Sequence, residues 1–565
     1  MNSAALGDAP TALPEGKVAA LAKELQISLT VAGWLLHSGY GDPARARQFF
    51  QPKLSELSSP DGMLGRNTAA ERLASAIRNR ELVVVFGDYD CDGMTATAIL
   101  TEVLRELGGK ATPLLANRFG GGYGVSPPAT ERIRALNPSV VVTCDCGSSD
   151  HETLQLLKDS GIDVIVIDHH LVPDRPLPAL AFLNPHRPEC AFPYKGMASC
   201  GLALSVGAAV RSALGVELDM RRWLDLVAIG TIADVAPLTG DNRALVRTGL
   251  LRVGQAERPG LRALLEVARI DRGSVVDARD VAFKLAPRLN APGRLGAPDL
   301  ALQLLIERDD ARAAALANDL EQASQQRRRI QQEILDQAIS LIEADGQHDR
   351  GAIVVGQADW NPGIVGIVAG RLAERYACPV VVCGVEAGVA RGSVRGPRGF
   401  RLHDALSQVQ HLLVRFGGHQ AAAGLEVLLE RLPQLREAFV AACQSAPRDH
   451  LADDPNAPTE LHPADELHRV VRDMDLLEPC GEGNPRPVFA LSAAVTDARA
   501  VKGGHLKLEL DLGKRGRVGC FRADEGERAD VLRGARVRAI GDLRRSTYRG
   551  SGGIELVASR LVVQP

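Results

Sequence analysis

No stretch of this chain approaches the ~18 uninterrupted apolar residues of a membrane-spanning helix. Its start, MNSAALGDAP, lacks the basic segment followed by an apolar one that marks a secretory leader. The ten cysteines include no C-x-x-C pair and lie scattered along the chain, which argues against a disulfide framework and a structural zinc site. A cytoplasmic protein with no membrane association is therefore expected. Aromatic residues make up only 4%, so the cores must be aliphatic and closely packed. The net charge of −3 gives no general affinity for polyanions.

What is present is ordinary in bulk and distinctive in pattern. A chain of 565 residues suggests three or four domains. From Val501 to Pro565, fourteen Lys/Arg face eight Asp/Glu, a local balance of +6. Shorter basic clusters occur at Gln325–Arg329 and Arg391–Arg401. Local patches matter more than the total for a nucleic-acid ligand, although a solvated basic face reads the same way.

Residues 1–65 suggest a small helical lead-in. Leu82–Phe86, Ser139–Thr143 and Val164–Ile167 are short, β-branched and apolar on consecutive residues. Such runs suit strands buried on both faces of a parallel sheet. With helical segments between them, residues 66–310 read as an α/β, doubly wound domain. The segment 311–345 is free of Gly and Pro as far as Ala344 and predicts one long connecting helix. A second, smaller α/β domain is expected over 346–450, then an acidic, Pro-bearing linker. Short alternating pieces over 465–565 predict a small β-barrel.

The strongest local signal is Gly87-Asp88-Tyr89-Asp90-Cys91-Asp92-Gly93, between a predicted strand and a predicted helix. Alternate residues of extended chain share a face, so Asp88, Asp90 and Asp92 would point together and repel. A divalent cation relieves that repulsion. A calcium loop opens similarly, but its twelfth position needs Glu and holds Ile99 here. A solvated turn is the plain alternative. Against it, Asp145 follows the next strand, Asp168-His169-His170 follows the third, and Asp234 interrupts an apolar helix. Ligands gather at the carboxyl ends of strands in open α/β sheets. Carboxylates with imidazole suit manganese or magnesium better than zinc.

GDYDCDG, TCDCG, DHH and GTIADVAPL, in this order, resemble the four motifs of the DHH phosphoesterase superfamily. Further on, PRLNAPGRLG, the stretch Trp360–Gly370, Gly392-Ser393-Val394-Arg395, Gly417-Gly418-His419 through Gly424, and GEGNPRPVF resemble motifs of the RecJ family. The resemblance runs from about residue 65 to the end and makes 66–310 the DHH domain, 346–450 the DHH-associated domain and 465–565 an OB-like domain.

The resemblance implies a single-stranded-DNA-specific 5′→3′ exonuclease of DNA repair and recombination, releasing 5′-mononucleotides. It implies two Mn2+ or Mg2+ ions held by Asp90, Asp92, Asp145, His169 and Asp234, with Asp145 between them. Asp88 and His170 would lie close by, on a ligand or on phosphate. Arg118, Arg294, Ser393, Arg395 and His419 match phosphate-contact positions. Taken alone, Arg118 and Arg294 read equally well as surface or helix-capping groups. Tyr123, in a Gly-rich loop, would stack on a base or simply sit exposed. The family further suggests a monomer served by single-stranded-DNA-binding protein and a helicase.

Some positions depart from the pattern. Phe86 stands where some superfamily members carry a metal-binding His, Asn361 where His is frequent, and Val394 and Gly396 vary the G-S-x-R-S loop. Cys91, Cys144 and Cys146 flank the candidate ligands, so soft metals or oxidants could act there, or the thiols are merely small packing groups. Two other functions stay open: a DHH phosphodiesterase for short oligonucleotides or cyclic dinucleotides, and a non-catalytic replication scaffold.

Overall fold

The consecutive apolar residues of the predicted strands are needed because each strand feeds two cores. In the computed structural model, which describes residues 14–418, 422–446, 458–546 and 553–564, the first sheet is wholly parallel. It comprises β1 (Leu82–Gly87), β2 (Lys110–Leu115), β3 (Val140–Cys144), β4 (Asp163–Ile167) and β5 (Ala181–Leu183), ordered β2-β1-β3-β4-β5. Val83 and Val85 enter the larger core, shared with helices Arg66–Arg78, Cys91–Glu106 and Ser199–Leu214. Val84 and Phe86 enter the opposite one, with helices Pro127–Ala135 and His151–Asp159. Ile165 and Ile167 of β4 alternate with Val164 and Val166 in the same way.

Register then does something the core alone would not require. Gly87 pairs with Cys144, and Cys144 with Ile167, so the three strands end level. Their next residues, Asp88, Asp145 and Asp168, form one row. It is tied by Asp88 N donating to Cys144 O at 3.1 Å and Asp145 N to Ile167 O at 2.9 Å.

The connecting helix spans Asp310–Ala344, 35 residues or ~52 Å. Asp309 caps it, accepting from Arg312 N at 2.8 Å. Ala313, Ala317 and Leu320 pack into the first domain, and Ile334, Ala338 and Ile342 into the second. One rigid element thus sets the spacing of the two. The second sheet holds β6 (Ile353–Ala358), β7 (Val380–Glu386), β8 (Val389–Arg395), β9 (Leu413–Gly418) and β10 (Ala422–Leu428), ordered β6-β7-β8-β10-β9. Only β6 and β7 pair in parallel.

After the two-residue strand β11 (Thr459–Glu460) come β12 (Phe489–Val501), β13 (His505–Asp511), β14 (Arg517–Arg522), β15 (Arg536–Arg545) and β16 (Ile554–Val563). Because β12 pairs with both β13 and β15, these last five close into a barrel, with β14 and β16 adjacent.

The N-terminal helices, expected as a small helical lead-in, share a core with this barrel unit. Val31, Trp34, Leu35 and Phe49 pack with Val470, Leu491 and Leu556. The free N–H groups opening helix Leu29–His37 find acceptors far along the chain. Thr30 N and Oγ donate to Asp465 at 2.7 Å each, and Ser28 N to Asp473 at 2.7 Å. Arg243, buried in the first domain, fastens this unit down. Its Nε donates to Phe49 O at 2.9 Å, Nη1 to Pro479 O at 3.0 Å, and Nη2 to Leu477 O and Glu478 O at 3.0 Å each. Among the described residues no single helix is long and apolar enough to cross a membrane. The bent pair Glu15–Leu25 and Leu29–His37 comes nearest in composition, and its apolar residues lie in the barrel core.

Candidate metal centre

Each acidic candidate is placed by an ordinary feature of its element. Asp90 caps helix Cys91–Glu106, its Oδ1 accepting from Asp92 N at 3.0 Å and Gly93 N at 3.1 Å. Asp92, in the first turn, reaches across to a second helix. Its carboxylate accepts from Ser199 N at 2.7 Å and Cys200 N at 2.9 Å. That helix, Ser199–Leu214, has Ala198 in its own cap position and needs the outside acceptor. Gly93 is required by close approach, since a Cβ there would stand 2.6 Å from Asp88 N.

Asp145 sits at φ 64°, a left-handed conformation that a non-glycine residue holds only under constraint. Its Oδ1 accepts from Ser199 Oγ at 3.0 Å. Asp168 is saturated by its own surroundings. It accepts from His169 N at 2.8 Å, His170 N at 3.2 Å, Ser148 N at 3.0 Å and His170 Nδ1 at 2.7 Å. It therefore holds the His169–His170 backbone and orients the His170 ring. Asp234, expected inside a helix, ends helix Leu224–Ala233.

These side chains converge. His169 Nε2 lies 3.2 Å from Asp145 Oδ1, 3.6 Å from Asp234 Oδ2 and 3.9 Å from Asp92 Oδ2. Three overlapping groups offer ligand atoms within 4.8 Å of one another: Asp145, His169 and His170; Asp92, His169 and Asp234; Asp88, Asp90 and Asp145. Asp145 and His169 each belong to two of them.

The electrostatics show what such a cluster requires. Burial, then Asp90, raises the Asp88 carboxyl well above its ordinary range. Burial, then Asp92 and Asp90, does the same to Asp145. Asp234 is pushed up to about 9 by burial and by Asp92. Asp168 is the opposite case. Burial alone would raise it, but the hydrogen bonds from His170 and Ser148 outweigh that and hold it at about 2. His169 is lowered by burial and so kept neutral, the form that ligates a cation. His169 Nε2 and Asp88 Oδ1 are buried with no hydrogen-bond partner. Orphaned atoms, mutually repelling carboxylates and a neutral imidazole together fit divalent manganese or magnesium.

Opposite the acids lies a group of arginines. The guanidinium of Arg118 stands 4.7 Å from the centre of the Tyr89 ring, and its Nε is buried without a partner. Arg294 donates through Nη1 to Gly363 O at 3.0 Å, joining the first two domains. Burial, then Arg118 and Arg327, lowers Arg294 to about 10. Arg395 is lowered by burial and by Arg118. A Cβ on Gly366 would lie 3.1 Å from Ser393 Oγ and 3.4 Å from Arg395 Nη2, so that helix start closely backs the pair. Tyr123 donates to Asp145 O at 3.0 Å, its hydroxyl is 3.1 Å from His170 Nδ1, and its ring is half exposed. His419 falls outside the described residues.

Sequence reasoning missed Asp168 as an orienting group and Ser199 and Cys200 as anchors for Asp145 and Asp92, and it marked Arg327 only as part of the basic cluster Gln325–Arg329. For Asp168 the DHH tripeptide carried the local signal. Cys91, Cys144 and Cys146 are fully buried, and burial raises their thiols well above the ordinary range for Cys91 and Cys146. Inert packing groups fit that environment better than redox-sensitive ones.

Comparison with known proteins agrees with this architecture. Residues 82–231 match the DHH family, N-terminal domain; residues 349–445 the DHHA1 domain; and residues 459–560 the RecJ OB domain. The chain is 34% identical to the single-stranded-DNA-specific exonuclease RecJ of Bacillus subtilis (strain 168), covering 94% of this chain and 67% of that one. The crystal structure of RecJ in complex with Mn2+ from Thermus thermophilus superposes with a TM-score of 0.82 at 31% identity, covering 98% of this chain and 78% of that one. The structure of the same protein with Mg2+ gives a TM-score of 0.77 at 30% identity, covering 98% and 77%.

Proposed function

The chain belongs to the RecJ family of single-stranded-DNA-specific exonucleases, and on that footing we propose that it hydrolyses single-stranded DNA from the 5′ end, releasing 5′-mononucleotides. The observation that carries this reading is the convergence of three acid and imidazole groups at one sheet edge, facing a set of buried arginines.

In this reading Asp90, Asp92, Asp145, His169 and Asp234 would hold two Mn2+ or Mg2+ ions, with Asp88 and His170 alongside. Bound there, divalent ions supply charge that offsets the developing negative charge on phosphate oxygens and makes water a stronger acid. The protein supplies position. Asp168 fixes the backbone and the ring of His170, and Ser199 fixes Asp145. Arg118, Arg294, Ser393 and Arg395 hold the terminal phosphate, since planar guanidinium forks grip phosphate oxygens in pairs. Tyr123 closes the wall over His170 and offers its exposed ring edge to a base.

A division of labour follows, with residues 66–310 catalytic, 346–450 completing the phosphate site across the long helix, and 465–565 guiding the strand. The basic barrel supports long strands over short oligonucleotides as substrates. The intact acid set supports an enzyme over a scaffold. Family resemblance extends the reading to a cytoplasmic monomer that takes strands opened by a helicase and coated by single-stranded-DNA-binding protein.

End-labelled single strands of both polarities, digested with Mn2+ and with chelator, test the reading. Labelled mononucleotide should appear at once from the 5′ label, only with metal, and not from the Asp145→Ala protein. Equal digestion by that variant would refute it.

A further inference from the structure

The segment that delivers Arg294 to the phosphate site begins with an exposed aromatic ring that the proposed mechanism leaves unused. The chain runs through the short turn Ala278–Asp280, one turn of π-helix at Val281–Leu285, and helix Ala286–Arg294. Val281, Leu285 and Leu289 face the core. Phe283, Pro287, Asn290 and Arg294, spaced by four, three and four residues, share the other side. Phe283 is 73% exposed, although phenylalanine in a chain so poor in aromatics is otherwise mostly buried. A π-turn is rare and often marks a functional position.

Both ends of this row meet parts of the nucleic-acid machinery. At one end, Arg279 lies with its guanidinium 5.8 Å from the centre of the Phe283 ring and donates to Asp542 of the barrel at 3.2 Å. At the other, Arg294 stands among the arginines beside the acidic cluster. Between them, Asn290 Oδ1 is a buried atom without a hydrogen-bond partner. From Phe283 to Arg294 the helix rises ~16 Å, about five stacked nucleotides at ~3.4 Å each.

We propose that Phe283 is a stacking platform for a base of the strand on its way from the barrel to the metal centre, with Asn290 hydrogen-bonding the same strand nearer the metals. The inference rests on the single-stranded-DNA reading above. The exposed ring, bordered by the ion pairs Arg279–Asp542 and Lys284–Asp280, offers an aromatic face that matches a ligand with a flat aromatic face of its own.

The test is the dissociation constant of a fluorescent single-stranded 20-mer in chelator, with kcat/KM in Mn2+ for the same 20-mer and for a 5′-phosphorylated dinucleotide too short to reach Phe283. Phe283→Ala should weaken 20-mer binding about tenfold, the scale of one lost base stack, and lower the 20-mer to dinucleotide ratio of kcat/KM to match. Phe283→Trp should restore both, and Phe283→Leu should restore neither. Unchanged 20-mer binding in Phe283→Ala, full rescue by Phe283→Leu, or equal loss on both substrates would overturn the proposal. Because binding is read in chelator, a parent protein that fails to hydrolyse DNA would defeat the nuclease reading while still testing this one.

Discussion

Arg243 gives the sharpest test of how the parts are held together. It is 3% exposed and makes no ion pair among the described residues; its partners are four backbone carbonyls from two remote segments and the Phe49 ring, 3.8 Å from its guanidinium. Burial lowers it only to about 10, so it stays charged at any working pH. A hydrogen bond from a charged donor contributes ~1.5–3 kcal/mol when lost with its acceptor left buried. Four would give ~6–12 kcal/mol if nothing relaxed. The carbonyls of Phe49 and Leu477–Pro479 lie at a seam that can open to water, so Arg243→Ala should cost roughly 3–5 kcal/mol, the range for breaking a buried charged contact. Arg243→Lys keeps the charge but replaces the fork with a single ammonium and should lose about half as much. Urea denaturation followed by circular dichroism reads the stability, and loss should appear as an early transition of the barrel unit. Long-strand digestion should fall more than dinucleotide hydrolysis, because only the former needs the docked barrel. A denaturation profile for Arg243→Ala that superimposes on the parent's would refute the argument.

Gly93→Ala should lower kcat at least ~100-fold with little effect on strand binding, because its Cβ would meet Asp88 N at 2.6 Å and Asp88 O at 2.7 Å and displace the acidic loop; steady-state kinetics check this. Asp234→Asn should raise the melting temperature in chelator by removing one repelling carboxylate, yet abolish the rise that Mn2+ gives the parent, which is ~2.7 kcal/mol at a hundredfold excess over the dissociation constant. Calorimetric melting with and without Mn2+ separates the two effects. Peroxide should inactivate the Cys91→Ala, Cys144→Ala, Cys146→Ala protein at the parent's rate, since those thiols are buried and protonated; slower inactivation of the variant would restore the redox reading.

Much of the first sheet was legible because its strands are covered on both faces, which forces unbroken β-branched runs such as Val83–Val85 and Val164–Ile167. The long helix was legible because no Gly or Pro interrupts Asp310–Ala344. Most candidate ligands were legible because they cluster at strand ends and at the helix start that follows, where a short peptide carries the whole signal. Contacts closed over long chain separations were not. Nothing near Ser28 or Thr30 announces that Asp473 and Asp465 complete that helix start, and nothing near Asp92 announces Ser199. Asp168 was visible as a residue but not as a role, since only the folded chain shows its carboxylate filled by four donors.

That last distinction sorts the acids more finely than position alone. Asp168 is deeply buried yet held at about 2, because backbone N–H groups and an imidazole already satisfy it. Asp234, with a similar neighbourhood of carboxylates and no donor N–H or O–H among the described residues, is driven up to about 9. The same desolvation acts on both, so the supply of donors decides the sign. Asp145 falls between them in donors, with Ser199 Oγ alone, and remains strongly raised. An acid whose ionised form the fold has already satisfied with donors gains little from a cation, whereas one left bare gains the most. Asp145, Asp234 and His169 Nε2 are therefore the groups that would gain most from the two proposed ions, with Asp168 behind them as scaffold. Asp92 has two backbone donors but also two oxygens with lone pairs to spare, so it can brace helix Ser199–Leu214 and still face the ion. Under the proposed two-metal reading this would make metal binding and the seating of that helix one event, since the carboxylate that would ligate is also the cap.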